Sequence, residues 1–429
     1  MLSHEDNETL VRVGAGTPMG QFMRRYWIPF LKSSDVERDG QPHRVRLLGE
    51  DLVAFRDSAG AVGLVDHACP HRGAPMVFAR TEDGGIRCIY HGWKFDIAGR
   101  CQELPPEPAH TPMRNHVSIK SYPVRERNGV LWTYMGPAGE LPPLPELEWN
   151  LVPESHCVVT FRVQECNWLQ ALEGEIDSAH AAILHGRYGN TISQWRQGQD
   201  LAPSFEIQTH DAGLSIAARR KSGDDSNYVR VNQFLVPFWT LVPPQMQYPD
   251  LSGHAWVPID DHHTLALMFS YTPDHPINEK SRKLFKSGHK GRETGHHSDV
   301  AYAPRPITEP FPKYWSRFNR ANAYEYNYAT GMPGLWLEDA ACQSGVSAIY
   351  DRTQEHLGTS DTGIARVRRL LLENAKKIAQ NGAAPAVGAS PASFMLRAVS
   401  LTIPADADWA ELGREHMQAE LGKGFGYTP

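Results

Sequence analysis

Two short ligand steps limit this chain most. Cys69-Pro70-His71-Arg72-Gly73 is followed, after sixteen residues between His71 and Cys88, by Cys88-Ile89-Tyr90-His91-Gly92-Trp93. Each step brings one thiolate and one imidazole to a loop, and the fold must bring the two loops together to hold a metal. Such a set suits a tetrahedral zinc. It equally suits a [2Fe-2S] centre with two thiolates on one iron and two imidazoles on the other. The short Cys-x-His step favours two loop tips pinched around a cluster. Gly73, Gly92 and Pro75 allow close backbone approach, where sulfides take N–H donors, and Trp93 can shield one side. Imidazoles in place of two thiolates raise the potential of such a cluster. Each ligating His keeps one ring nitrogen for an outward hydrogen bond to solvent or another subunit.

Around these steps the texture is β-rich. Short runs at Val45–Leu48, Leu52–Arg56, Val62–Val65, Ile86–Tyr90 and Val130–Tyr134 are separated by Gly- and Asp-bearing turns, as in a sandwich or barrel. Residues 1–25 read as partly helical. The Gly- and Pro-rich segment 136–145 breaks both helix and strand and marks a domain boundary. Beyond it, Cys157–Gln164, Leu214–Arg220, Tyr228–Leu235, Phe238–Val242 and His263–Tyr271 read as strands, Asn167–His185 as one helix and Gly363–Gln380 as an amphipathic helix. Strands with a few long helices indicate an α+β domain. Residues 275–305 are polar and charged, a solvated insertion or a flap, and Ala383–Ala392 reads as a low-complexity linker.

A second constellation lies past the boundary. Asp177 and His180 are three apart and share a helix face. His180 and His185 are five apart, roughly 140° around an ideal helix. They converge on one ion only if the helix is distorted or broken. Alone, this pattern is equally that of capped or buried histidines.

The first pair of steps resembles the Rieske signature, C-x-H-R-G followed by C-x-x-H-G-W, in both halves. With D-x-x-H-x-x-x-x-H after it, the chain resembles the Rieske non-haem iron oxygenases, terminal components of aromatic ring-hydroxylating systems, over nearly its whole length. The resemblance implies a mainly β N-terminal Rieske domain with its helical segment (1–140). It also implies an α+β catalytic domain with an antiparallel sheet and flanking helices, of helix-grip type (141–429). It implies a cluster on Cys69, His71, Cys88 and His91, and a mononuclear Fe(II) on His180 and His185. The third iron ligand is a late acid: Asp339 in Leu335-Trp336-Leu337-Glu338-Asp339, with Glu338 as fallback and Asp351 and Asp361 weaker. Asp177 matches the family's acid that bridges to a Rieske histidine of the neighbouring subunit in a homotrimer, coupling electrons rather than binding iron. The run 351–361 resembles the phthalate-dioxygenase-like branch and is assigned to packing and subunit contact.

Fe(II) with two imidazoles and one carboxylate leaves positions for O₂ and substrate. No flavin or nicotinamide fingerprint appears in the sequence. A separate flavin or iron–sulfur reductase, drawing on NADH, is therefore the expected electron source. The branch implies an aromatic acid substrate, dihydroxylated on its ring or O-demethylated. Arg187, Arg196 and Arg230 are candidates to hold its carboxylate, and Phe234–Trp239 could line a ring-binding wall or simply be core strand. The alternative is a Rieske electron carrier without oxygenase chemistry.

Composition narrows the remaining classes. With 429 residues, 41% hydrophobic and 21% charged, the chain is ordinary for two or three globular domains. A formal net charge of -6 gives no nucleic-acid surface. Six cysteines are too sparse for a disulfide scaffold, and the four outside the ligand steps read as small buried hydrophobes. The polar, acidic N-terminus is not a signal peptide, and no apolar run approaches the roughly 18 residues of a membrane helix. The expectation is a protein of a reducing cytoplasm.

Overall fold

The computed structural model describes residues 2–185, 200–244, 250–286, 335–382 and 384–424. Its contacts divide the chain into two units. One is Arg24–Pro142; the other joins the first 23 residues to the chain from Pro143 onward.

The smaller unit is built from short antiparallel strands. β1 (Trp27–Lys32), β10 (Val124–Arg127) and β11 (Val130–Tyr134) form one sheet in the order β1-β11-β10. β2 (His43–Leu47), β3 (Glu50–Arg56), β4 (Val62–Asp66) and β9 (Ser121–Tyr122) form a second in that order. β5 (Arg80–Glu82), β6 (Gly85–Arg87), β7 (Lys94–Phe95) and β8 (Cys101–Glu103) form a third. The expected strand Ile86–Tyr90 is cut short: β6 ends at Arg87, because Cys88–Gly92 turns out of the sheet as a ligand loop. Val53, Phe55, Met76, Ile86 and Phe95 form a core that also takes in Cys69, Cys88 and Trp93.

The larger unit centres on one antiparallel sheet. β12 (Cys157–Gln164), β13 (Ser204–His210), β14 (Gly213–Lys221), β15 (Ser226–Leu235), β16 (Trp239–Val242), β17 (Leu251–Pro258) and β18 (Thr264–Tyr271) run in the order β12-β18-β17-β16-β15-β14-β13. β19 (Val399–Pro404) pairs with Ser226–Val231 of β15. Segment 384–392 therefore leads into the same sheet rather than linking to another domain. β17 escaped the sequence reading because Gly253 and Pro258 interrupt its pattern. Gly253 is needed there, since a Cβ would lie 2.3 Å from the Thr240 carbonyl oxygen.

Nine helices are described: α1 (His4–Val11), α2 (Pro18–Met23), α3 (Glu148–Leu151), α4 (Trp168–Ile176), α5 (Ala181–Leu184), α6 (Glu279–Lys286), α7 (Leu335–Ser344), α8 (Thr362–Asn381) and α9 (Trp409–Met417). α1 and α2 pack on α8, so the N-terminal segment expected with the cluster domain belongs to the larger unit. Arg352 and Arg368 both grip Glu173 of α4, Arg352 at 2.9 Å, and fix α4 behind the sheet. Within 275–305, Arg282 of α6 donates to the carbonyls of Cys157 and Ser155, and the segment beyond residue 286 lies outside the described residues. No described helix is long and apolar enough to cross a membrane.

Side chains alternate across strands, and the registers sort this sheet into two unlike faces. One carries Ala217, Val229, Val231, Leu401 and Ile403, packed against Trp409 and Met417 of α9. Trp239 of Phe234–Trp239 lies on that side, against Trp149 and near Phe269, as core strand. The other face carries Arg220, Arg230, Asn232, Thr240, His254 and Trp256, and α4 lies over it.

Candidate metal centres

The two cysteine loops are built alike. The N–H of Gly73 donates to the Cys69 carbonyl at 2.8 Å, and the N–H of Cys69 to the Ala74 carbonyl at 2.9 Å. Gly92 and Trp93 repeat both bonds with Cys88, at 3.0 and 2.9 Å. Each turn closes through a left-handed glycine, φ +72° at Gly73 and +75° at Gly92, a conformation that costs other residues strain. Both thiols are buried and adjacent. Burial and the neighbouring Cys88 push Cys69 up to about 11, while the backbone N–H groups of His71 and Arg72 pull the other way. His71 stacks on Trp93 with centroids 4.3 Å apart and meets His91 edge-on at 4.5 Å. The Nδ1 of His71 is buried with no hydrogen-bond partner. A buried ring nitrogen in that state has its lone pair available to a metal. Paired buried thiols, N–H groups at sulfur and an orphan imidazole nitrogen fit a [2Fe-2S] cluster.

The second constellation depends on a helix that stops. Asn167 caps α4, accepting from the Leu169 N–H, and the helix ends at Asp177, whose backbone is extended (φ −80°, ψ 97°). The expected continuous helix over Asn167–His185 is therefore two pieces. His180 opens the single turn α5, and His185 leaves it, its N–H reaching the Ile183 carbonyl. That departure from ideal geometry lets two residues five apart face one point, their ring centroids 5.2 Å apart.

Asp339 on α7 completes the point. Its Oδ1 lies 3.4 Å from His180 Nε2 and 3.3 Å from His185 Nε2. A divalent first-row ion bound at about 2.1 Å holds adjacent ligand atoms roughly 3.0–3.4 Å apart, so the donor set fits one ion. The three donor atoms all lie within 4.8 Å of one another. The remote ring nitrogens are also held. His185 Nδ1 donates to Glu338 at 2.9 Å, and His180 Nδ1 sits 3.5 Å from Asp177. Glu338 thus orients a ligand, while Asp351 and Asp361 accept from the N–H groups of Thr353 and Gly358 and lie in turns. α7 packs on α4, where Gln170 Nε2 donates to the Gln343 carbonyl at 2.7 Å.

Three carboxylates around two imidazoles set the electrostatics. Burial opposes charge on His180, but Asp177 and Asp339 outweigh it and hold its pKa up to about 10. His185 is likewise buried, yet Asp339 and Glu338 raise it to about 9. Burial works against Asp339 as well, and the two imidazoles still depress it far below the carboxylate range. A divalent cation would take the place of those protons.

Beside this point the sheet's polar face meets the end of α4. Glu175 accepts from His254 Nδ1, Thr240 Oγ1 and, at 2.9 Å, Trp256 Nε1. His254 Nε2 is buried without a partner. Arg220 donates to the carbonyl and hydroxyl of Ser178 at 2.6 and 3.3 Å. None of these residues was singled out from the sequence; alternation of polar with apolar residues along β14, β15 and β17 was the available signal. Of the arginine candidates, Arg230 is buried on this face and donates to the Pro243 carbonyl. Arg187 and Arg196 lie outside the described residues. Of the other cysteines, Cys157 and Cys166 are buried as expected, but Cys101 is half-buried and Cys342 exposed.

Comparison with known proteins agrees with this geometry. A Rieske [2Fe-2S] domain family model matches residues 26–123, and a family described as LigXa C-terminal domain like matches 133–426. The chain is a Rieske non-haem iron oxygenase. It is 36% identical to the 3-chlorobenzoate-3,4-dioxygenase oxygenase subunit of Comamonas testosteroni, over 94% of this chain and 96% of that one. It is 35% identical to the phthalate 4,5-dioxygenase oxygenase subunit of Pseudomonas putida, over 98% and 96%. It is 31% identical to the 5,5'-dehydrodivanillate O-demethylase oxygenase subunit of a Sphingobium species, over 98% and 91%. Its fold is similar to the oxygenase in an oxygenase–ferredoxin complex of carbazole 1,9a-dioxygenase, with a TM-score of 0.58 at 18% identity, covering 87% of this chain and 94% of that one. The Rieske oxygenase is thus an α subunit of the phthalate-like branch, an oxidoreductase whose family carries a Rieske cluster and a mononuclear iron. Electrons supplied from NADH through a separate reductase are typical of this family. A simple electron carrier would have no use for the second matched domain.

Proposed function

We propose that this terminal oxygenase oxidises an aromatic carboxylate, by ring dihydroxylation or by O-demethylation of a methoxylated acid. Cys69, His71, Cys88 and His91 hold the cluster. His180, His185 and Asp339 hold the iron, whose chemistry is activation of O₂ with electrons supplied one at a time. The observation that carries the iron assignment is the pair of imidazole Nε2 atoms at 3.4 and 3.3 Å from one Asp339 oxygen. Glu338 holds the His185 tautomer so that its Nε2 lone pair faces the ion. Support for an aromatic acid comes from the chlorobenzoate and phthalate oxygenase relatives.

The active assembly is a homotrimer in which Asp177 receives a Rieske histidine of the neighbouring subunit. Its contact with His180 Nδ1 puts it one side chain from the iron ligand, as that bridge requires. The protein works in the cytoplasm with a flavin or iron–sulfur reductase. Incubation with a reductase, NADH and a panel of phthalates, chlorobenzoates and methoxylated aromatic acids tests this. A cis-diol identifies dihydroxylation and formaldehyde identifies demethylation. Oxidation of none of these acids, with neutral aromatics consumed, contradicts the substrate class.

A further inference from the structure

The loop that carries Cys88 and His91 is gripped at its base by two cations. It springs from the hairpin of β6 and β7, where Arg87 pairs directly with Lys94. Like charges opposite one another on a sheet repel, so this pairing is unfavourable unless something offsets it. Two carboxylates do. Arg87 Nη2 donates to one Glu103 oxygen at 2.8 Å and Arg87 Nε donates to Glu82, while Lys94 Nζ donates to the other Glu103 oxygen at 3.2 Å. Arg87 Nη1 donates at 2.9 Å to the carbonyl of Gly92, which follows His91 in the ligand loop. The four charges are not placed alike. The side chains of Arg87 and Lys94 are 12% and 6% exposed, and those of Glu82 and Glu103 are 34% and 47% exposed. Water and salt screen the acids more than the cations. The network is neutral by count, but it presents its positive end to the loop.

We infer that Arg87, with Lys94 beside it, is a positioning residue of the Rieske centre: it fixes the Gly92 peptide and sets how readily the cluster accepts an electron. This rests on the cluster assignment above. One electron from a one-electron donor adds one negative charge to a centre held by two thiolates and two neutral imidazoles. Buried cations at the base of its loop stabilise that added charge more than the half-exposed acids oppose it. The same bond holds the negative end of the Gly92 carbonyl against the guanidinium, at the residue whose left-handed backbone (φ +75°) closes the turn. The planar guanidinium serves Gly92, Glu82 and Glu103 at once, a geometry that an ammonium group cannot copy.

The test is a spectroelectrochemical titration of the holoprotein and of Arg87→Gln, Arg87→Lys and Glu103→Gln, with cluster absorption, EPR of the reduced protein and iron content measured on each. A unit charge about 10 Å from an electron, at an effective dielectric constant near 20, shifts the reduction equilibrium roughly tenfold. Arg87→Gln should therefore favour the oxidised form about tenfold, a midpoint lower by about 59 mV for one electron. Arg87→Lys, which keeps charge but not the fork, should fall between. Glu103→Gln should shift the equilibrium the other way, by about two- to threefold, because it removes a screened acid. A merely structural role would loosen the loop in both glutamine variants and move their midpoints in the same direction. A shift below about twofold in Arg87→Gln, or shifts of the same sign in Arg87→Gln and Glu103→Gln, with cluster absorption intact, would overturn the inference and leave the cluster assignment standing. Wild type without Rieske absorption or cluster iron would overturn both. Should Arg87→Gln not assemble the cluster, Lys94→Met decides, and a midpoint that is unchanged or raised there overturns the inference.

Discussion

Glu338→Gln isolates what a buried carboxylate does for a metal it does not touch. Glu338 is fully buried and accepts the Nδ1–H of His185 at 2.9 Å. That bond fixes the tautomer in which Nε2 is a lone pair and makes the imidazole a better donor. Glutamine keeps the shape but removes the charge, and its amide can turn an N–H toward Nδ1, favouring the wrong tautomer. A hydrogen bond to a charged acceptor contributes roughly 1.5–3 kcal/mol. At about 1.4 kcal/mol per decade, Fe(II) affinity should fall about ten- to hundredfold. Competition with a ferrous chelator under anaerobic conditions reads that ratio directly, and the visible spectrum of the Rieske cluster should not change. Affinity within twofold of wild type would refute the orienting role. Loss of the variant's iron beyond what Asp339→Asn causes would instead make Glu338 the ligand and Asp339 the support.

Other outcomes follow from the same geometry. In metal-free protein His180 and His185 carry pKa values raised to about 10 and about 9. Their charged forms therefore stabilise the fold fully below about pH 6.5, and that stabilisation is lost as pH rises through 9 to 10. Thermal melts of apoprotein should show this fall, and Fe(II) affinity should rise over the same window because binding displaces those protons; a flat affinity profile would contradict it. Arg352→Met leaves Glu173 with one guanidinium in the interior and should cost about 3–5 kcal/mol in urea unfolding, whereas a loss below about 1 kcal/mol would mean the network is not cohesive. His71→Ala should abolish cluster absorption while mononuclear iron still loads, and retained absorption would remove His71 from the ligand set.

Sequence and structure part company where chain geometry departs from its regular period. The Cys69 and Cys88 steps were legible because spacing, glycines and ligand types all lie in short contiguous runs. Strands β11 and β12 were legible to the residue, since Val130–Tyr134 and Cys157–Gln164 are β-rich and bounded by turns or caps. The iron loop was only half legible. Periodicity carried the helix reading through to His185, and nothing local announced the break at Asp177 that allows the two histidines to converge. Choosing between Glu338 and Asp339 needed the position of α7, which is held by long-range contacts such as that of Gln170 with the Gln343 carbonyl. Arg220, Ser178 and the Glu175–His254 pair were illegible because which polar side chains are buried together is a property of the packed sheet, not of any motif. The N-terminal helices were misassigned for the same reason: amphipathic spacing states that they pack, not that they pack on α8.

Iron counting on single-site variants tests the central claim most directly. Wild-type protein loaded anaerobically should hold about three irons per chain, two in the cluster and one at His180, His185 and Asp339. His180→Ala and Asp339→Ala should each drop to about two, with the cluster's absorption and Mössbauer spectrum unchanged. A third iron retained by both variants, or lost only together with the cluster, would contradict the existence of a separate centre at these residues.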